Sequence, residues 1–276
     1  MFLGLDLKTW LGLTVVGAAI STFGALLGIV LKDYVFSRSL EKWKLRHTLE
    51  QLYQKFRDPL LLSARELASR SVEILDQYPT VYLRTDVLSL RPDRQIENTT
   101  KDPYFQHYKL VSTAYRFCAF LGWLELYRQE ITFLNSGSNR LSRELERAIN
   151  SIREDLADGQ LNTAQDWPEW RDTLIFREEL RAIGESMIES RGASRSVIGY
   201  GRFCELLEAN DSSPTKKWAT VLLNFVLDLE TERRDFRQIR LKRLLVHLVG
   251  LLELLEDAAI EKRLIEARNR WRAAVV

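Results

Sequence analysis

What this chain has little of narrows its chemistry before anything else does. It holds two cysteines, Cys118 and Cys204, far apart and with no Cys or His beside either. That excludes a disulfide framework, and with it a clustered thiolate zinc site. Both read as buried free thiols, and Cys118 sits in the most apolar soluble segment, where a thiol is inert. The three histidines, His47, His107 and His247, belong to no H-x-x-x-H or H-E-x-x-H pattern, so no metal ligand set is expected. Gly199-Tyr200-Gly201 lacks the G-x-x-x-x-G-K-[ST] context of a phosphate loop, and no G-x-S-x-G elbow occurs. An excess of one charge is missing too. Forty Lys+Arg against 38 Asp+Glu leave none of the basic surplus of a dedicated nucleic-acid binder. There is no internal repeat and no low-complexity segment. Nothing here implies a cofactor or an enzyme.

The most telling absence is of charge between Thr9 and Leu31, a run of 23 residues reading TWLGLTVVGAAISTFGALLGIVL. At about 1.5 Å per residue, a helix of this length crosses the roughly 30 Å hydrocarbon core of a bilayer. A cleavable signal peptide would have a shorter apolar region, a basic lead and a small-x-small exit. This run is longer, follows only Asp6 and Lys8, and leaves through bulky residues. It reads as an uncleaved single-pass anchor. Lys32, Arg38, Lys42, Lys44, Arg46, Lys55 and Arg57 all follow it, which puts the N-terminus outside and the rest in the cytoplasm, at the inner (plasma) membrane. In that topology the sequons at Asn98 and Asn210 are accidental. Gly17, Ser21, Gly24 and Gly28 are spaced by four, three and four, so they line one side of the helix and include a G-x-x-x-G pair. Small residues let two spans approach closely, so self-association is expected there. The span carries no ionisable residue, and a pore would need several copies.

The expected fold is all-α: one N-terminal transmembrane helix followed by a cytoplasmic helical bundle domain. Residues 1–8 form a short extracytoplasmic N-terminus, 9–31 the transmembrane helix, 32–77 juxtamembrane helices, 78–104 an irregular loop and 105–276 the helical domain. The membrane helix is expected to run on past Leu31, since 32–56 has no Gly or Pro. Asp58-Pro59 predicts a cap and the first turn of a fresh helix over 59–77. Pro79, Pro92 and Pro103 break the next stretch, where Val81–Leu83 could pair as a short strand. Residues 105–134 are apolar nearly all round. Their longest charge-free run, Phe117–Leu124, is too short to span a bilayer, which makes them a buried central helix rather than a second anchor. Tyr108, Tyr115, Phe117, Phe120, Trp123 and Tyr127 would supply much of its core.

After a turn at Asn135–Asn139, Leu141, Leu145, Ile149 and Ile152 mark one face of a helix over 140–156. Asp158-Gly159 and Asp166-Trp167-Pro168 frame a loop. Pro168 is expected to open a helix to Ser190, stopped by Gly192, with a short helix over 194–209 and a capping turn at Asn210–Pro214. Leu241, Leu248 and Leu255 recur by seven, as do Leu245 and Leu252, which predicts a bundle-core helix. A charged amphipathic helix closes the chain over 256–276. Glu178, Glu179, Glu185 and Glu189 lack the Glu-x-x-His partners of a carboxylate metal site and read as a solvated face.

Arg240 and His247 are separated by six residues on the leucine-rich helix. This spacing is similar to the arginine–histidine pattern of HEPN ribonucleases, helical proteins that pair two copies to build one site. The resemblance implies an arginine that stabilises phosphate charge and a histidine acting as acid or base. Leu241 departs from it, because a polar residue usually follows the arginine. The other reading is a histidine satisfied locally. The leading expectation is a membrane-anchored scaffold that self-associates and recruits a cytosolic protein. The alternative is a membrane-disrupting or pore-forming oligomeric effector, as in a bacterial defence or stress system, and the weakest is the nuclease. Partners expected are the lipid bilayer, further copies of the chain and a cytosolic protein, with nucleic acid unlikely.

Overall fold

The computed structural model describes residues 7–30, 32, 37–76, 103–131, 140–157, 174–192, 194–209, 213–227, 229, 236–255 and 260–272. The candidate strand at 81–83, the loop up to 102, the turn at 135–139, the loop with Pro168, residues 1–6 and the start of the capping turn at 210–212 lie outside them. The chain divides into two compact units, Met1–Leu52 and Tyr53–Val276.

The first unit contains α1 (Leu7–Val30) and the start of α2 (Ser37–Leu75). Within α1, Leu11–Ile29 is long and apolar enough to cross a membrane, and among the described residues none of that stretch is buried. Val15, Ile20 and Phe23 are each more than 60% exposed. Of the junction to α2 only Lys32 is described, so the expected run-on past Leu31 lies largely outside the described residues. Trp43 stacks on His47 one turn along α2, with ring centroids 5.4 Å apart.

The expected break at Pro59 does not occur. The α2 helix passes through Pro59, which lacks one N–H and costs about 3 kcal/mol or more in a helix interior. Burial offsets that cost, because Phe56, Leu60, Ala64, Leu67, Ala68 and Val72 are all buried around it. A cap-like Asp58-Pro59 pair is overridden by an apolar stripe that keeps its period on both sides.

In the second unit, α3 (Pro103–Ile131) is the central helix, beginning at a proline in its first turn. Around it come α4 (Arg140–Ala157), α5 (Arg177–Ser186), α6 (Tyr200–Glu208), α7 (Pro214–Val226), α8 (Phe236–Leu254) and α9 (Lys262–Trp271). The helices α5, α6 and α7 pack on α3, while α4 and α9 pack on α8. Phe117, Phe120 and Leu124 are fully buried at the centre, while Tyr115 and Trp123 are half-buried and Tyr108 is exposed, so the aromatic core is smaller than the sequence suggested. Leu145, Ile149 and Ile152 form the predicted buried face of α4, and the heptad leucines of α8, Leu241, Leu245, Leu248 and Leu252, are buried with Leu255 just beyond it. The buried guanidinium of Arg70 on α2 donates to Thr113 Oγ1 and Ser112 Oγ on α3 and pairs with Glu73 at 3.2 Å.

One region differs in kind. The predicted helix to Ser190 ends at Ser186, and residues expected to open the next helix form a strand. Strands β1 (Ile188–Arg191) and β2 (Ser194–Val197) pair antiparallel, Ile188 opposite Val197. Gly192 does not cap a helix. It sits at φ 63° in the hairpin turn, a left-handed conformation that favours glycine. The hairpin packs on α3 at Gly122, where a Cβ would come within 2.9 Å of Met187 Cβ. Gly199 becomes the N-cap of α6, and Ser213 caps α7 by accepting from the Lys216 N–H at 3.1 Å, with Pro214 in the first turn.

Candidate functional site

The sequence places two candidate constellations in different units. In the first, Gly17, Ser21, Gly24 and Gly28 share one exposed side of α1. Among the described residues, a Cβ at Gly17, Gly24 or Gly28 would meet nothing within 4 Å. Two hydroxyls on α1 are already satisfied. Thr14 donates to the Leu11 carbonyl at 2.9 Å and Thr22 to that of Ala18 at 2.7 Å. Back-bonding of this kind removes the cost of a bare hydroxyl in hydrocarbon.

The second is the Arg240–His247 pair on α8. Both side chains turn toward the C-terminal end of α4. Arg240 is 2% exposed and donates from Nη1 to the Leu156 carbonyl at 2.8 Å. A guanidinium near a helix C-terminus satisfies a carbonyl that lacks a helical partner and meets the negative end of the dipole. His247 Nδ1 lies 2.5 Å from Asp155 Oδ2. Asp155 is buried, and burial holds its carboxyl above the usual range against the opposing pull of His247 and Arg243. The pair thus shares one end of α4, where the buried arginine ties α8 to α4.

A third cluster was not singled out in the sequence. Glu125 on α3 is buried and accepts from Arg128 Nε at 2.8 Å, from Arg128 Nη2 at 2.5 Å and from Gln129 Nε2 at 2.8 Å. Burial pushes this carboxyl up, yet those hydrogen bonds and the charges of Arg128 and Arg153 bring it below its ordinary value. Beside it, Arg153 and Glu154 of α4 face Arg177 and Arg181 of α5 across a trough of about 270 Å³. Of the predicted solvated carboxylates, Glu179 accepts the Phe176 N–H at 2.9 Å and so closes the first turn of α5.

The remaining chemistry-bearing groups stay apart. Burial pushes the thiols of Cys118 and Cys204 up, away from the thiolate a nucleophile needs. Among the described residues, no three His, Cys, Asp or Glu side chains group as metal ligands would. Asp155 and Glu125 were the residues sequence reasoning missed. The signal for them was a carboxylate abutting an apolar stripe, Asp155 beside Ile152 and Leu156, and Glu125 between Leu124 and Leu126.

No family model, curated protein or solved structure matches this chain, so its function is argued from its own residues.

Proposed function

We propose that this protein is a membrane-anchored helical scaffold, which self-associates through α1 and recruits a cytosolic protein with its helical unit. One observation carries the reading: α1 is an apolar helix that no described part of the chain covers. Apolar surface in water costs roughly 25 cal/mol per Å², so a helix with this exposure needs lipid or another helix around it. The small-residue face supplies the contact for a second copy. The basic residues that follow α1 support a cytoplasmic helical unit.

The effector reading receives less support. Phe117, Phe120 and Leu124 make α3 the centre of the core, and exposing it to a bilayer would dismantle the unit. The nuclease reading is weakened by the engagement of Arg240 beneath α4.

The test is the mass of the full-length chain in mild detergent, by light scattering, beside Gly24→Leu/Gly28→Leu. The reading expects a discrete oligomer that dissociates in the variant, with both proteins retained in membranes after carbonate extraction. A monomer in both would sink self-association, and release by carbonate would sink the anchor. Leakage of dye from liposomes at the same oligomeric mass would favour the effector.

A further inference from the structure

We propose that the start of α2, from Ser37 to His47, lies on an anionic lipid surface, with Leu40 and Trp43 set into the headgroup layer. The inference rests on reading α1 as a membrane anchor, and it adds a second contact with the same bilayer. Leu40, Trp43, Lys44 and His47 fall at i, i+3, i+4 and i+7, so one side of the helix presents all four. All four are exposed, Leu40 at 51% and Trp43 at 61%. The Trp43 ring stacks on His47, whose Nε2 lies 3.1 Å from Gln51 Nε2. Those contacts stay within the helix, and among the described residues nothing buries the apolar pair.

Charge decides what covers this face. Between Lys32 and His47 five basic residues stand against two acidic ones, Asp33 and Glu41. A second copy docked in parallel through α1 would set the same basic surplus beside itself, and like charges repel. An anionic leaflet meets that surplus with the opposite sign, and each Lys or Arg held near such a surface adds to the attraction. The headgroup layer also suits the apolar pair. Tryptophan is enriched there because its body is apolar and its N–H wants a wet partner. Lys44 carries its charge on an apolar stem, so it fits beside Leu40 and Trp43 with its ammonium among phosphates.

The chain length agrees. Six residues separate Val30 from Ser37, a reach of at most about 25 Å even when fully extended. The face therefore starts within reach of the layer through which the apolar span leaves the bilayer.

The test is tryptophan fluorescence of the full-length chain in nanodiscs of phosphatidylcholine brominated at the upper acyl carbons, with and without phosphatidylserine. Bromine quenches a tryptophan that touches it. Trp43→Leu isolates the signal of one tryptophan among seven, and an unchanged melting temperature checks its fold. With phosphatidylserine, the native chain is expected to lose more emission than Trp43→Leu, by the share of that one residue. Without phosphatidylserine, or in Arg38→Gln/Lys42→Gln/Lys44→Gln, this difference is expected to shrink several-fold. Equal quenching of the native chain and Trp43→Leu in anionic discs would overturn the proposal, and so would a difference that ignores the charge of the lipid. Shielding of Trp43 from aqueous iodide without quenching by bromine would give the face to a second copy and overturn it as well. Trp10, in the first turn of α1, separates this inference from the anchor on which it rests. If removing Trp10 reduces quenching while removing Trp43 does not, α1 is in lipid and only the α2 contact falls. If neither substitution reduces it, or the chain does not elute with the discs, the anchor falls too.

Discussion

Two long apolar helices of this chain meet opposite fates. The 24 residues of α1 carry no charge after Lys8, and its side chains from Leu11 to Ile29 stand exposed. The 29 residues of α3 are apolar nearly all round as well, yet from Leu110 to Tyr127 most of them are buried. The difference lies in the charges. In α3, Lys109 stands 4.0 Å from Glu73, Arg116 donates to the Glu66 carbonyl, and Glu125 is enclosed by Arg128 and Gln129. Each of these charges on α3 has a protein partner, which is what a helix needs in order to be buried in protein. The span of α1 has none to partner, which is what a helix needs in order to be surrounded by lipid. A few interrupting charges, each with a protein partner, separate the helix buried in the second unit from the one whose apolar side chains stand exposed.

The contrast can be broken at either helix. Phe117→Ala in α3 is expected to have the largest effect, about 3–5 kcal/mol off the unfolding free energy. Carbonate-resistant membrane retention would be unchanged. Chemical denaturation followed by tryptophan fluorescence reads the first quantity, and a loss below about 1 kcal/mol would show that α3 is not the core. Ile20→Arg in α1 is expected to do the reverse. It places a charge mid-span at about 3 kcal/mol on insertion scales, lowers the carbonate-resistant fraction and leaves the denaturation curve of the second unit in place.

The smallest effect belongs to the carboxylates that make α3 and α4 compatible with burial. Because Glu125 is held below its unfolded value, its contribution is present above about pH 4.3 and is lost as pH falls through the folded value. Glu125→Gln is expected to cost about 1.5–3 kcal/mol at pH 7 and to flatten that acid limb. Asp155 has the opposite sign. Its carboxyl is raised in the folded chain, so its contribution declines as pH climbs from the ordinary value of about 3.9 toward the folded one. Asp155→Asn removes that decline. Melting temperatures taken in half-unit steps from pH 3 to 7 separate the two, and identical pH profiles for the native chain and both variants would refute the assignment.

Periodicity made most of the helices legible. The stripe of α4 could be read because one of its faces is apolar and the other charged, and α8 because its leucines recur by seven. What stayed hidden had local rules pointing the wrong way. Asp58-Pro59 carries the marks of a helix start, yet the apolar stripe of α2 runs across it. The hairpin escaped because Glu189, Ser190, Ser194, Arg195 and Ser196 give no alternation of apolar and polar residues, and only Ile188 and Val197 betray a buried side. The candidate sites were legible to different degrees. The small-residue face of α1 needs only the sequence and the helix period. The engagement of Arg240 with Leu156, and of His247 with Asp155, depends on which helices meet, and spacing along one chain carries no such information.

Arg70 bears on how the second unit finds its final alignment. A guanidinium has several donors in a rigid plane, and here they are met by Thr113, Ser112 and Glu73 together. Leucines and alanines would tolerate α2 displaced along α3 by a turn, since one apolar contact resembles the next. A displaced Arg70 would lose both hydroxyls at once while remaining enclosed. The arginine therefore works as a key cut for one position of the lock: it adds little to how strongly the two helices hold each other, and it decides where along their length they come to rest.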